Sequence, residues 1–291
     1  MAFLYKNDNV LCPDLDYYFN VFTVFQFIQE IQALLKRFFI QSSRRLSFLL
    51  SGIIQPLLWL VLFGALFQKF SISTYFNTIY YIDFLSSGII VFTAFTSALN
   101  AGLPIMFDRE FGFFNRLLVA PMTSRFSIIV SSSLYIVCTT IVQISIMLCF
   151  ISFKGSFFLN IKILPVFFII LIMLIVSITI FSTIMSFVLP GHIELLALIL
   201  IINLPILFSS TALAPLEFMP KWLQIISSLN PLTYSIEAIR YIFLSSNYLF
   251  YIPIVQTAFG YLSLFQVLGY FLLLNILSIL TANIFFYKKL E

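Results

Sequence analysis

Charged residues are few in this sequence and they fall in groups, so the chemistry open to each group can be considered in turn. The densest lies at 108–125, DREFGFFNRLLVAPMTSR, where Asp108, Arg109, Glu110, Arg116 and Arg125 put five charges into eighteen residues. Apolar Phe111, Phe113, Phe114, Leu117 and Leu118 lie between them. This pattern predicts a short amphipathic helix after Asp108, stopped near Pro121, because proline lacks an N–H and clashes with the preceding turn. Such a helix either rests on lipid headgroups or docks on a soluble partner. A second group, LNPLTYSIEAIR at 229–240, holds Asn230, Pro231, Glu237 and Arg240. Glu237 and Arg240 are spaced i, i+3 and can pair on one helix face.

The single histidine, His192, shares the turn PGHIE with Glu194, an arrangement better suited to capping than to catalysis. A Ser-His-Asp relay or a histidine metal site would have to use it. No glycine is followed by lysine, so the phosphate-binding loop G-x-x-x-x-G-K-[ST] is missing. The sequence therefore offers no means of hydrolysing ATP, and no catalytic, cofactor-binding or metal-ligating residue is assigned.

The elements that carry these groups are set by the solvent. Of the 291 residues, 62% are hydrophobic and 9% charged, with a mean hydropathy of +1.09. A water-facing chain carries about 25% charged residues. Lipid is therefore the main solvent. About 20 apolar residues cross the hydrocarbon core, and the predicted spans are 46–67, 84–107, 126–153, 163–189, 195–216 and 263–287. Lys and Arg are enriched on the inner side of membranes. With six spans the inner face takes ten basic residues, including Lys6, Arg109, Lys288 and Lys289, against five outside, including Lys69, Lys154 and Lys221.

The fold class is thus an all-α polytopic membrane protein. Residues 1–45 form a tail and an interfacial helix, and 46–291 the transmembrane domain. In the helix, Val24, Ile28, Ile31, Leu35 and Phe39 share one face, opposite Gln26, Gln29, Glu30 and Arg37. The outer stretch 217–262, broken by Pro220 and Pro231, is expected to dip partway into the membrane before the last span.

Within the spans, charge is nearly absent, with Asp83 at the outer edge of the second. Ion-coupled transport usually needs intramembrane charge and is disfavoured. The amides Asn100, Gln143, Asn203 and Asn275 are expected to join helices, and the stripe Ala94, Ala98, Gly102 to let helices approach. Cys138 and Cys149 lie eleven residues apart, roughly 16 Å along one helix, too far for a disulfide. No targeting segment is read in residues 1–18.

The inner group resembles the inner loop of type-2 ATP-binding-cassette (ABC) exporter permeases. Asp108, Arg109, Glu110, Gly112, Leu117, Leu118, Pro121, Ser124 and Arg125 carry the likeness. Asn230, Pro231, Leu232, Thr233 and Arg240 resemble that family's stretch before the last span. The resemblance implies a homodimer with two separate ATPase subunits that use the ATP, this chain holding no cofactor. It makes Asp108, Arg109, Glu110, Gly112, Phe113, Leu117, Leu118, Pro121 and Arg125 a coupling helix. Asn230, Pro231, Glu237 and Arg240 become an outer gate. The substrate would be lipid-like, saccharide or otherwise amphipathic. Nucleic acid is not an expected partner. The Phe-rich, Ala-poor composition, with 37 Phe, points to an AT-rich genome, and the chain most resembles plastid-encoded algal permeases. A plastid membrane is expected, a bacterial inner membrane being the alternative. Other readings are a cofactor- or haem-delivery permease, a membrane assembly factor without an ATPase, and a membrane enzyme.

Overall fold

The computed structural model describes residues 4–7, 10–13, 15–44, 46–67, 81–119, 126–153, 163–244, 253–257 and 260–290. A hairpin of β1 (Leu4–Asn7) and β2 (Val10–Pro13), with Tyr5 opposite Cys12, precedes the long helix α1 (Leu15–Ser43). Then come α2 (Leu46–Leu66), α3 (Tyr81–Leu99), α4 (Gly102–Glu110), α5 (Phe113–Val119), α6 (Phe126–Phe153), α7 (Leu164–Val188) and α8 (His192–Phe208). The chain continues through α9 (Lys221–Leu229), α10 (Pro231–Leu244), a hairpin of β3 (Pro253–Thr257) and β4 (Gly260–Ser263), and α11 (Leu264–Leu290). The two short hairpins are additions to the all-α reading.

Among the described residues, α3–α4 together, α6, α7 and α11 are long and apolar enough to cross a membrane. Two shorter apolar helices, Leu50–Leu66 within α2 and α8, occupy the other two predicted positions. The enclosed share falls from 78% for Tyr81–Glu110 to 17% for Leu264–Phe285, which puts α3–α4 at the centre and α11 at the lipid-facing edge. Hydrophobic association cannot hold helices together in lipid, so close packing and polar bridges must. Both are present. A Cβ on Gly88 of α3 would come within 2.6 Å of the Ala212 carbonyl oxygen, and one on Gly102 within 2.5 Å of that of Ser182. Ala94, Ala98 and Gly102 are all buried, as the small-residue stripe predicts.

Three of the four mid-span amides join helices. Thr96 bonds Asn203 at 3.2 Å, Ser97 donates to Gln143 at 2.6 Å, and Asn275 Nδ2 donates to the Met173 carbonyl at 2.9 Å. Asn100 has no such bond among the described residues. Cys138 and Cys149 are both free and exposed.

The structure corrects several boundaries. The second span begins at Tyr81, breaks at Asn100–Ala101 and resumes to Glu110. Pro104 explains the break, because its ring excludes the carbonyl four residues back, that of Asn100. Ser182 of α7 bridges the gap, accepting from the Gly102 N–H at 3.0 Å and donating to the Leu99 carbonyl. The fifth span stops at Phe208 rather than 216. Ser210 there turns its hydroxyl onto the Leu207 carbonyl at 2.7 Å and accepts the Ala212 N–H at 3.3 Å, competing with further helical turns.

The face of α1 is also rotated from that expected. Leu34 and Phe38 are buried, whereas Ile28 and Phe39 are exposed and Ile31 and Leu35 half-buried; the Val24 side chain lies outside the described residues. Packing on α6 sets this orientation, with Phe38 stacked on Tyr135 at 5.5 Å between centroids.

Candidate coupling and gate sites

Asp108, Arg109 and Glu110 end α4 as helix, not as the loop expected, and each ties α4 to a different neighbour. Asp108, 8% exposed, forms an ion pair with Arg37 of α1. The Arg37 guanidinium also lies 4.0 Å from the centroid of the Phe113 ring, which draws α5 into the same joint. Arg37 therefore faces α4 rather than water. Arg109 donates to the carbonyls of Ser186 at 2.9 Å, Pro190 at 2.7 Å and Leu189. These are orphan acceptors at the negative end of α7, where a cation is favoured.

Glu110 accepts from the backbone N–H of His192 and pairs with its Nδ1, both at 2.6 Å. A carboxylate at the first residue of α8 meets the positive end of that helix. Three consecutive side chains thus gather the ends of α1, α7 and α8 onto α4.

Beyond Glu110 the chain turns at Gly112, whose φ of +75° suits glycine, and enters α5. The predicted short helix after Asp108 is present. Phe114 is buried edge-on against Phe187 at 5.2 Å, Leu117 and Phe113 are half-buried, and Asn115, Arg116, Phe111 and Val119 are exposed. The last two expose 75% and 86% of their surface, so α5 and the turn before it present an outward face of two apolar side chains, one amide and one cation. The Leu118 side chain, Pro121, Ser124 and Arg125 lie outside the described residues.

At the other cluster, Asn230 joins α8, α9 and α10. Its Nδ2 donates to the Ile206 carbonyl at 2.8 Å, and its Oδ1 accepts the Leu232 N–H at 2.9 Å, a capping bond for α10 behind Pro231 at the first helical position. Glu237 and Arg240 pair at 2.5 Å as their spacing predicts. Arg240, 4% exposed, also donates to the Thr211 carbonyl at 2.9 Å and sits 3.6 Å from the centroid of Phe84 on α3. This pins α10 against α3, so 231–244 is packed inside the bundle. Its partner α9 turns Ser227 and Ser228 inward and leaves Trp222, Ile225 and Ile226 exposed, a pattern suited to lipid outside.

Sequence reasoning missed Arg37 and Phe84. Arg37 looked like any juxtamembrane cation, and the role of Phe84 needs α10 folded against α3. His192 read as a capping residue, and its link to Glu110 spans 82 positions.

These features define a multi-pass, all-α membrane protein with a clamped helical elbow at one end. Residues 29–244 match the model of the ABC-2 type transporter family, and the chain belongs to that family. It is 49% identical over 278 residues to a protein of Porphyra purpurea, covering 96% of each chain. Identity is 50% over 258 residues to one of Pyropia yezoensis and 51% over 260 residues to one of Cyanophora paradoxa. The latter alignments cover 88% and 89% of this chain, and 89% of each relative. All three share the name transport permease ycf38. The chain is accordingly a permease subunit of a transporter.

Proposed function

We propose that this chain is the membrane subunit of an ATP-driven exporter that moves an amphipathic, lipid-like or saccharide-bearing substrate. Its spans number six, it works as a homodimer, and two separate ATPase subunits supply the energy. No cofactor is held by the chain itself. The relatives' organisms and the composition favour a plastid membrane.

The observation that carries this reading is the elbow at Asp108–Glu110. A soluble motor bound to the outward face of α5 would move α4, and through three polar joints would move α1, α7 and α8 with it. Packed joints of this kind switch between discrete arrangements rather than deforming smoothly. Coupling through the triplet is thus internal, and contact with the motor falls to Phe111, Asn115, Arg116 and Val119. At the far end, Arg240 and Asn230 hold α10 as an outer gate against α3 and α8.

Mild-detergent purification followed by native mass spectrometry tests the assembly. The expected mass is two copies of this chain with two P-loop subunits. A monomer that reconstitutes transport in liposomes alone would overturn it.

A further inference from the structure

Three neighbouring hollows share wall residues. An inner chamber of about 330 Å³ opens between α1, α4, α6 and α8, walled by Phe38, Gln41, Leu103, Phe107 and Leu196. It shares Asn100, Tyr135 and Ile136 with a narrower crevice of about 80 Å³ between α2, α3 and α6. That crevice shares Ser51, Gln55 and Trp59 with an apolar groove along α2, whose floor is Leu50, Ile54, Leu58 and Leu62. The three spaces therefore adjoin in a row from the coupling end, past Asn100, to the surface of α2 within a single chain.

The walls have a distinct chemistry. The crevice carries the hydroxyls of Thr93, Thr96 and Ser97 and the amides of Gln55, Asn100 and Gln143, and neither it nor the inner chamber holds a charged residue. Thr93, Thr96 and Ser97 are committed to the Ile89 carbonyl, Asn203 and Gln143. The side-chain amides of Gln55 and Asn100 make no hydrogen bond among the described residues. In the chamber, Gln41 Oε1 is buried without a partner. Buried polar atoms in native proteins nearly always have one, so this acceptor still has a hydrogen bond to make.

A phosphate or an ammonium entering this space would lose its hydration with no opposite charge to replace it, which is prohibitive. An uncharged polyol would not. Amides and hydroxyls both donate and accept, matching the mixed demand of sugar hydroxyls. Trp59 and Tyr135 offer ring surfaces that combine apolar contact with a polar tip. A chamber of about 330 Å³ lies within the range of small-molecule sites, about 300–1,000 Å³.

We propose that this row of adjoining hollows binds an amphipathic molecule whose uncharged, hydroxyl-bearing headgroup sits among Gln41, Gln55 and Asn100, with its acyl chain along the α2 groove. This rests on the exporter reading only in making that molecule the cargo.

The chain has two tryptophans, so Trp222→Phe leaves Trp59, on the cavity wall, as the sole reporter. The purified chain is titrated with a monoglucosyl diacylglycerol bearing brominated acyl chains, which quench Trp59 on contact. Brominated phosphatidylglycerol, brominated diacylglycerol and free glucose are run in parallel. Saturable quenching by the glucosyl lipid, at about tenfold lower concentration than by either other lipid, is expected. Asn100→Leu, and separately Gln55→Leu, should each weaken it by about tenfold, the loss of one good hydrogen bond. Equal quenching by all three lipids, a preference for phosphatidylglycerol, competition by glucose at the lipid's own concentration, or indifference to both substitutions would each overturn the proposal. The titration needs no ATPase. Its failure leaves the exporter reading standing, and lipid binding by a chain that recruits no ATPase would sink that reading alone.

Discussion

Glu110→Lys will uncouple ATP hydrolysis from transport while leaving the spans inserted. The new ammonium would face the His192 amide and the positive end of α8, and would lie beside Arg109, so all three local interactions turn repulsive. The link from α4 to α8 opens, and motion of α5 no longer reaches α8. Coupling between sites is typically about 5- to 150-fold, and transport-linked stimulation of the ATPase should fall by a factor in that range. Glu110→Gln keeps an acceptor for the His192 N–H and should fall between the two. Binding of the ATPase subunit should survive, because Glu110 faces α8 rather than the motor. If Glu110→Lys instead abolished binding and left the residual ATPase fully coupled, the carboxylate would be a docking contact and the internal joint would be wrong.

Glu237→Leu is expected to be among the most destabilising single substitutions in the chain. It strands the Arg240 guanidinium in a site that is 4% exposed. Breaking a buried ion pair from one side costs about 3–5 kcal/mol. The Thr211 carbonyl and the Phe84 ring still face the cation, and the Glu237 side chain is 22% exposed, so about 3 kcal/mol is the expected loss. Arg240→Met placed with Glu237→Leu should recover most of it, since an apolar pair of similar volume carries no desolvation cost. Thermal unfolding in detergent reads both. A double variant as unstable as the single one would show that Arg240 contributes through its carbonyl and ring contacts alone.

The spans and the two charged segments were legible because lipid leaves a strong imprint on sequence. Long uncharged runs mark helices, and a charged triplet or an Asn-Pro pair stands out against them. The Glu237–Arg240 pair was legible for a related reason, its spacing being local to one helix. Long-range partners were not. Arg37 meets Asp108 across 71 positions and Arg109 reaches carbonyls at and just past the end of α7, 77 to 81 positions away, and nothing in the local pattern encodes those contacts.

This is why the resemblance could place Arg109 and Glu110 in a coupling helix that docks on a partner. A charged triplet at a membrane surface reads as exposed until its neighbours are folded around it. The face of α1 was misjudged for the same reason. Helical periodicity places apolar residues together, but in lipid both the packed and the exposed faces are apolar, so the pattern does not say which one α6 covers. The break at Asn100 was readable from Pro104, yet its repair by Ser182 was not.

The most direct test of the account is a crosslink from α5. In a background with Cys12, Cys138 and Cys149 replaced by serine, single cysteines are placed at Phe111, at Asn115 and, on α9, at Trp222. A short bifunctional reagent is applied to native membranes holding the whole transporter. Adducts between positions 111 and 115 and a P-loop ATPase subunit, with none from position 222, are the predicted result. Adducts from Trp222→Cys, or none from position 111 or 115 while the complex is intact, would contradict the assignment of α5 and the turn before it as the element that meets the motor.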